Sequence, residues 1–145
     1  MPSNAAIYIA DPSILGSRTF DGIEEIQSYE GLNKKGLASG VRLQLRWGSV
    51  VLNFMPPEQL KPHLDGFASY AERVIKNRDT LIYALARIHH ARMCLGCIIE
   101  HASHEESPAQ QFLFDFNSEL NGILFLNDSI FDRDAQPLGG PAAVQ

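Results

Sequence analysis

The sequence predicts an α+β domain whose elements run β-α-β-β-α-α-β-α-β, with helices on one face of a mixed sheet. Three observations carry that reading. Residues 41–55 alternate in the manner of a hairpin, Leu60, Leu64, Phe67, Ala71 and Val74 recur at helical spacing, and two short apolar runs, 93–100 and 123–126, have strand length. At 145 residues with 45% apolar side chains, the chain has the size and the apolar content for one domain around one core.

Taken in order, residues 6–10 (AIYIA) form a β-prone segment that ends at Asp11-Pro12, because the residue before proline is driven out of the helical region. Asp21 then precedes Ile23, Ile26 and Tyr29 at helical spacing, with Glu24 as capping partner and Gly31 as stop, which predicts a helix. Residues 31–40 read as a flexible stretch.

In the run VRLQLRWGSVVLNFM a two-residue turn at Gly48-Ser49 pairs Trp47 with Val50, Leu45 with Leu52 and Leu43 with Phe54, giving one dry face. Arg42, Gln44, Arg46, Val51, Asn53 and Met55 fall on the other face. Pro62 suits a first helical turn, so the next helix is expected over 61–77. Asp79 caps another that runs to about Arg92. Residues 93–100 (MCLGCIIE) read as a buried strand. Ser107-Pro108 opens a helix that carries Phe112, Leu113, Phe116 and Leu120 and stops at Gly122, and a strand over 123–126 follows. This order matches the split βαβ, or ferredoxin-like, plan with one added crossover, and such a plan carries no function with it. The expected organisation is a single domain over 1–134 and a flexible tail over 135–145, which reads AQPLGGPAAVQ.

Composition narrows the function. The net charge of −5 argues against nucleic acid, since phosphate neutralisation needs a clustered basic surface. The absence of a long apolar run and of a leader-like N-terminus predicts a cytoplasmic protein with no membrane span. Two cysteines three residues apart read as reduced thiols. No phosphate-cradling, nucleophile-elbow or HExxH pattern occurs, so no cofactor is expected and no catalytic residue is assigned. The loop 11–18 after the first strand offers Asp11, Ser13, Ser17 and Arg18 as a polar ligand site or as a plain connection. Pairs such as Glu24-Glu25, Glu105-Glu106 and Asp132 with Asp134 could do acid–base work only if burial moved their pKa values.

The densest chemistry is His89, His90, Cys94, Cys97, His101 and His104, six residues of metal-ligating type within sixteen positions. A strand would send Cys94 and Cys97 to opposite faces, and a single CxxC that follows a helix has the wrong polarity for thioredoxin-like redox work. The leading expectation is therefore a non-catalytic protein-interaction or ligand-binding module that self-associates or binds another protein. Its interaction face comprises Arg42, Gln44, Arg46, Val51, Asn53 and Met55. The alternative is a metal-dependent hydrolase that uses His89, His90, Cys94, His101 and His104.

Overall fold

Two-residue turns organise the chain into antiparallel hairpins. Lys35 and Gly36 take φ of 53° and 82°, and Asn127 and Asp128 take 50° and 65°. Consecutive left-handed residues are what a type I′ hairpin turn requires, and its twist matches that of the strands it joins. In the computed structural model, which describes residues 2–143, the elements are β1 (Pro2–Ile9), α1 (Ser17–Gly22), β2 (Ile26–Lys34), β3 (Leu37–Leu45), β4 (Gly48–Phe54), α2 (Pro57–Val74), α3 (Arg78–His89), β5 (Met93–His101), α4 (Glu106–Glu119), β6 (Ile123–Leu126), β7 (Ser129–Phe131) and β8 (Pro137–Gly139).

All eight strands join one open sheet in the order β2-β3-β4-β5-β1-β6-β7-β8, and every pair is antiparallel. This overturns the ferredoxin-like plan. The sheet is not mixed, it is too large for a split βαβ sandwich, and helices lie on both of its faces rather than one. On one face α4 and Phe20 of α1 pack over Ile7, Ile9, Leu43, Leu45, Leu52, Leu95, Cys97, Ile99 and Leu124. On the other, α2 and α3 pack over Tyr8, Cys94, Ile123 and Ile130. Among the described residues no helix is long and apolar enough to cross a membrane.

The decisive change lies in residues 21–40. The expected helix over 21–31 is instead the end of α1 and the strand β2, and the expected flexible stretch is the β2–β3 hairpin. Tyr29 lies near Phe20, with centroids 5.1 Å apart, and its hydroxyl donates to Asp21 Oδ1 at 3.0 Å. Those contacts run between α1 and β2. Pairing with β3 along Ile26–Lys34 supplies long-range backbone bonds that no i, i+3 spacing can forecast.

The β3–β4 hairpin keeps the two faces but shifts its register. Leu43 pairs with Val50 and Leu45 with Gly48, so the turn is Arg46-Trp47 rather than Gly48-Ser49. Gly48 instead pairs with His101 of β5, and a Cβ there would run into the Glu100 carbonyl, so only glycine fits. The shift is by an even number of residues, and Leu43, Leu45, Trp47, Val50 and Leu52 are all buried in the same core, with Phe54 packed against it.

Helix boundaries differ by a few residues. α2 starts with Pro57 and carries Pro62 inside it, and Asn77 rather than Asp79 caps α3 by accepting from Thr80 N at 2.9 Å. Within the expected tail, Pro137–Gly139 is strand β8 on β7, and Ala142 N donates to Ser129 Oγ at 2.8 Å. Residues 144 and 145 lie outside the described residues.

Leu95 is fully buried on the central strand. Leu95→Ala should cost about 3 kcal/mol in urea unfolding, the range for a leucine truncated in a packed core, whereas exposed Gln44→Ala should stay within about 0.5 kcal/mol.

Candidate functional site

Strand β5 settles the geometry of the histidine–cysteine cluster. Alternation sends Cys94 to the core under α2 and α3 and Cys97 to the opposite core beside Leu95 and Ile99. His101 sits seven residues beyond Cys94, which at strand rise is about 24 Å away. Its Nδ1 lies 2.6 Å from Ala102 O. His89 ends α3, and the neighbouring His90 places Nδ1 2.7 Å from Ala86 O. His104 faces Glu105 at 3.6 Å in a short turn ahead of α4. Among the described residues no group of three or more His, Cys, Asp or Glu side chains could hold a metal ion. His89, His90, Cys94, His101 and His104 are thus spread over two ends of a strand and are not brought together.

Other expected polar groups have local structural work. Asp11 Oδ1 accepts from Ser13 Oγ at 2.6 Å and Ser13 N at 3.1 Å, which holds its carboxyl below the ordinary range. Asp132 Oδ1 accepts from the backbone N–H groups of Asp134 and Gln136, at 2.8 and 2.9 Å, and so closes the turn between β7 and β8. Glu24 and Glu25 border a surface groove with Asp115 and Glu119 over Phe112 and Phe116.

One part-buried polar arrangement had no signal in the sequence. Tyr8 of β1 places its hydroxyl 2.8 Å from His63 Nε2 on α2, stacks on Phe67 at 4.3 Å, and shares a hydrogen bond with Cys94. Its partners lie tens of positions away along the chain, a separation that no local pattern reports. Burial raises the Tyr8 phenol, with proximity to Cys94 adding to it. Burial also pushes Cys94 up to about 11, against a smaller lowering by the Tyr8 hydrogen bond, and Cys97 up to about 12. Both thiols are protonated near neutral pH, and neither is set up as a nucleophile.

The remaining candidate is the sheet face on the α2–α3 side. There the registers align Glu30, Arg42, Val51, Ile98 and Asn4 in one row across β2, β3, β4, β5 and β1. Ser28, Gln44, Ser49 and Glu100 form the next row on one side, and Leu32, Gly40, Asn53 and Gly96 the next on the other. Arg42, Gln44, Arg46 and Asn53 are exposed, Val51 is half-buried, and Ile98 keeps 38% of its surface in solvent. Met55 sits at the boundary, packed against the core under α2 and α3. Arg42 lies 3.7 Å from Glu30 in an exposed pair, a contact worth little by itself.

Against known proteins, no family model, curated protein or solved structure matches the chain.

The thiol environments have a direct readout. Ellman's reagent at about pH 8, where an unperturbed thiol is already reactive, should label neither cysteine in the folded protein and both in concentrated guanidinium.

Proposed function

We propose that this chain is a non-catalytic interaction module that associates with a second copy of itself through the open half of its sheet. The observation that carries the reading is the uneven cover of the α2–α3 face. The two helices cover β6, β7 and the Tyr8–Cys94 end of β1 and β5, while the described residues place no helix over β2, β3 and β4 on that side. The bare half is not the uniformly polar surface of a sheet that faces water. Val51 and Ile98 sit at its centre, with the pair of Glu30 and Arg42 on one flank and Glu100 on the other. A face that carries an apolar centre and both signs of charge can complement a copy of itself, as a two-fold interface requires. A chain of net charge −5 with no clustered basic surface has little to offer a polyanion.

Size-exclusion chromatography with light scattering tests the reading. At tens of micromolar the expected mass is twice the 16.1 kDa of the chain. Val51→Glu, which would bury a charge at the centre of the contact, should raise the dissociation constant about tenfold or more without changing the circular dichroism spectrum. A wild-type monomer at these concentrations would overturn self-association.

A further inference from the structure

We propose that the hollow between α3 and the end of β1 is a binding site for a small aromatic carboxylate, held through its carboxyl group by Arg87. The hollow is separate from the bare strands β2, β3 and β4, since β5 lies between β4 and β1, and the proposal does not rest on self-association.

Helical spacing builds the site. Tyr83, Ala86, Arg87 and His90 stand at positions i, i+3, i+4 and i+7, so α3 and its cap turn all four to one side. There they meet Tyr8 and Ala10 at the end of β1, and together they line a hollow of about 220 Å³. Two tyrosines and two alanines make most of this lining apolar, as in sites for small organic molecules. Tyr8 is the buried member, and its hydroxyl is already paired with His63, so it has a ring rather than a hydroxyl to offer. Tyr83 keeps 43% of its surface exposed, and among the described residues no other ring packs on it. The volume falls below the roughly 300 Å³ at which sites for larger ligands begin, and it suits a single ring with one or two polar substituents.

Arg87 gives the site its sign. Of the twelve Lys and Arg side chains it is the one that is not exposed. Among the described residues no carboxylate lies within 4.0 Å of it. A guanidinium drawn partly out of water without an anion leaves donors unmet, which is costly. A basic residue in the last turn of a helix commonly serves that helix's own carbonyls, whereas Arg87 reaches across to donate from Nη2 to the Asn121 carbonyl beyond α4. Its other nitrogens are left for a ligand. Asp11, next to Ala10, spends its Oδ1 on Ser13. Arg133 donates to Oδ1 of the same Asn121 at 3.1 Å, so two guanidinium groups share one asparagine in a chain of net charge −5. A carboxylate is the anion that matches such a fork, with two oxygens for two N–H groups. His90 adds a second polar group. Its Nδ1 lies 2.7 Å from Ala86 O, which fixes a proton on that nitrogen and leaves Nε2 to meet a substituent on the ring of the ligand.

Titration of ¹⁵N-labelled protein with sodium benzoate, followed through amide chemical shifts, tests the site. Saturable shifts are expected within residues 8–10 and 83–90, with a dissociation constant of about 0.1–1 mM, the range open to so small a ligand. Benzamide keeps the ring without the charge and acetate keeps the charge without the ring, and each should bind about tenfold or more weakly than benzoate. Arg87→Gln should weaken benzoate by about tenfold or more. Because Arg87 also holds Asn121, a second variant, Ala86→Leu, fills the hollow with Arg87 in place. It should abolish the shifts while the rest of the spectrum stays that of the folded wild type. No saturable shift up to about 20 mM benzoate, equal binding of benzamide, or unchanged affinity in Arg87→Gln would overturn the site. Inorganic phosphate that bound as tightly as benzoate would overturn the aromatic class of the ligand.

Discussion

The pairing of β5 with β4 on one side and β1 on the other joins the two halves of the sheet. β5 meets β4 from Gly48↔His101 to Phe54↔Leu95 and β1 from Pro2↔Glu100 to Ile9↔Met93. Without it the β2–β3–β4 meander and the β1–β6–β7–β8 group would be separate small sheets, each with an unprotected long edge. The junction also supplies both cores. Leu95, Cys97 and Ile99 face α4, and Cys94 faces α2 and α3. Close backbone approach at Gly48 is part of the same contact, because a side chain there would push β4 off β5.

A sheet whose strands are buried on both faces needs helices on both sides, and this chain has few helices to cover it. α4 carries Ala109, Phe112, Leu113, Phe116 and Leu120 along one side and meets the broad apolar surface of β1, β3, β4, β5 and β6 with help from α1. α2 and α3 are tied instead toward β6, β7 and β8. Phe67 and Tyr70 pack edge-on against Phe125, the Tyr70 hydroxyl donates to Asp128 O at 2.6 Å, and Gly139 lies against Ile75. Drawing both helices to that end leaves the other end of the same face bare, and the proposed interface follows from this imbalance.

The chemistry of the interior is conservative. The two thiols and the Tyr8 phenol are held neutral by desolvation, and the Tyr8 hydroxyl is paired with His63 beside Cys94. The histidines of the 89–104 segment direct ring nitrogens to nearby carbonyls or sit at the surface. Several of the protein's polar groups stabilise turns, and the histidines and cysteines of the 89–104 segment are dispersed.

Local chemistry determined a good deal of this protein. The alternation in residues 41–55 assigned the facing apolar residues of β3 and β4 to their correct side, because an even shift in register leaves faces unchanged. The same alternation correctly split Cys94 from Cys97, and the long apolar stripes located α2, α3 and α4. The polar positions of the candidate interaction face were legible for that reason too. Tertiary structure alone decided that residues 26–34 would be a strand, that β1 would insert between β5 and β6, and that α2 and α3 would crowd toward β7 and β8. Each of those outcomes depends on backbone hydrogen bonds or aromatic contacts between segments that local spacing does not connect. Such contacts leave no periodic trace in the chain, and at residues 21–31 they override a helical spacing that only a few apolar side chains supported. The openness of the sheet face likewise belongs to the assembled fold, since a helix reports which of its sides is apolar but not which strands it will cover.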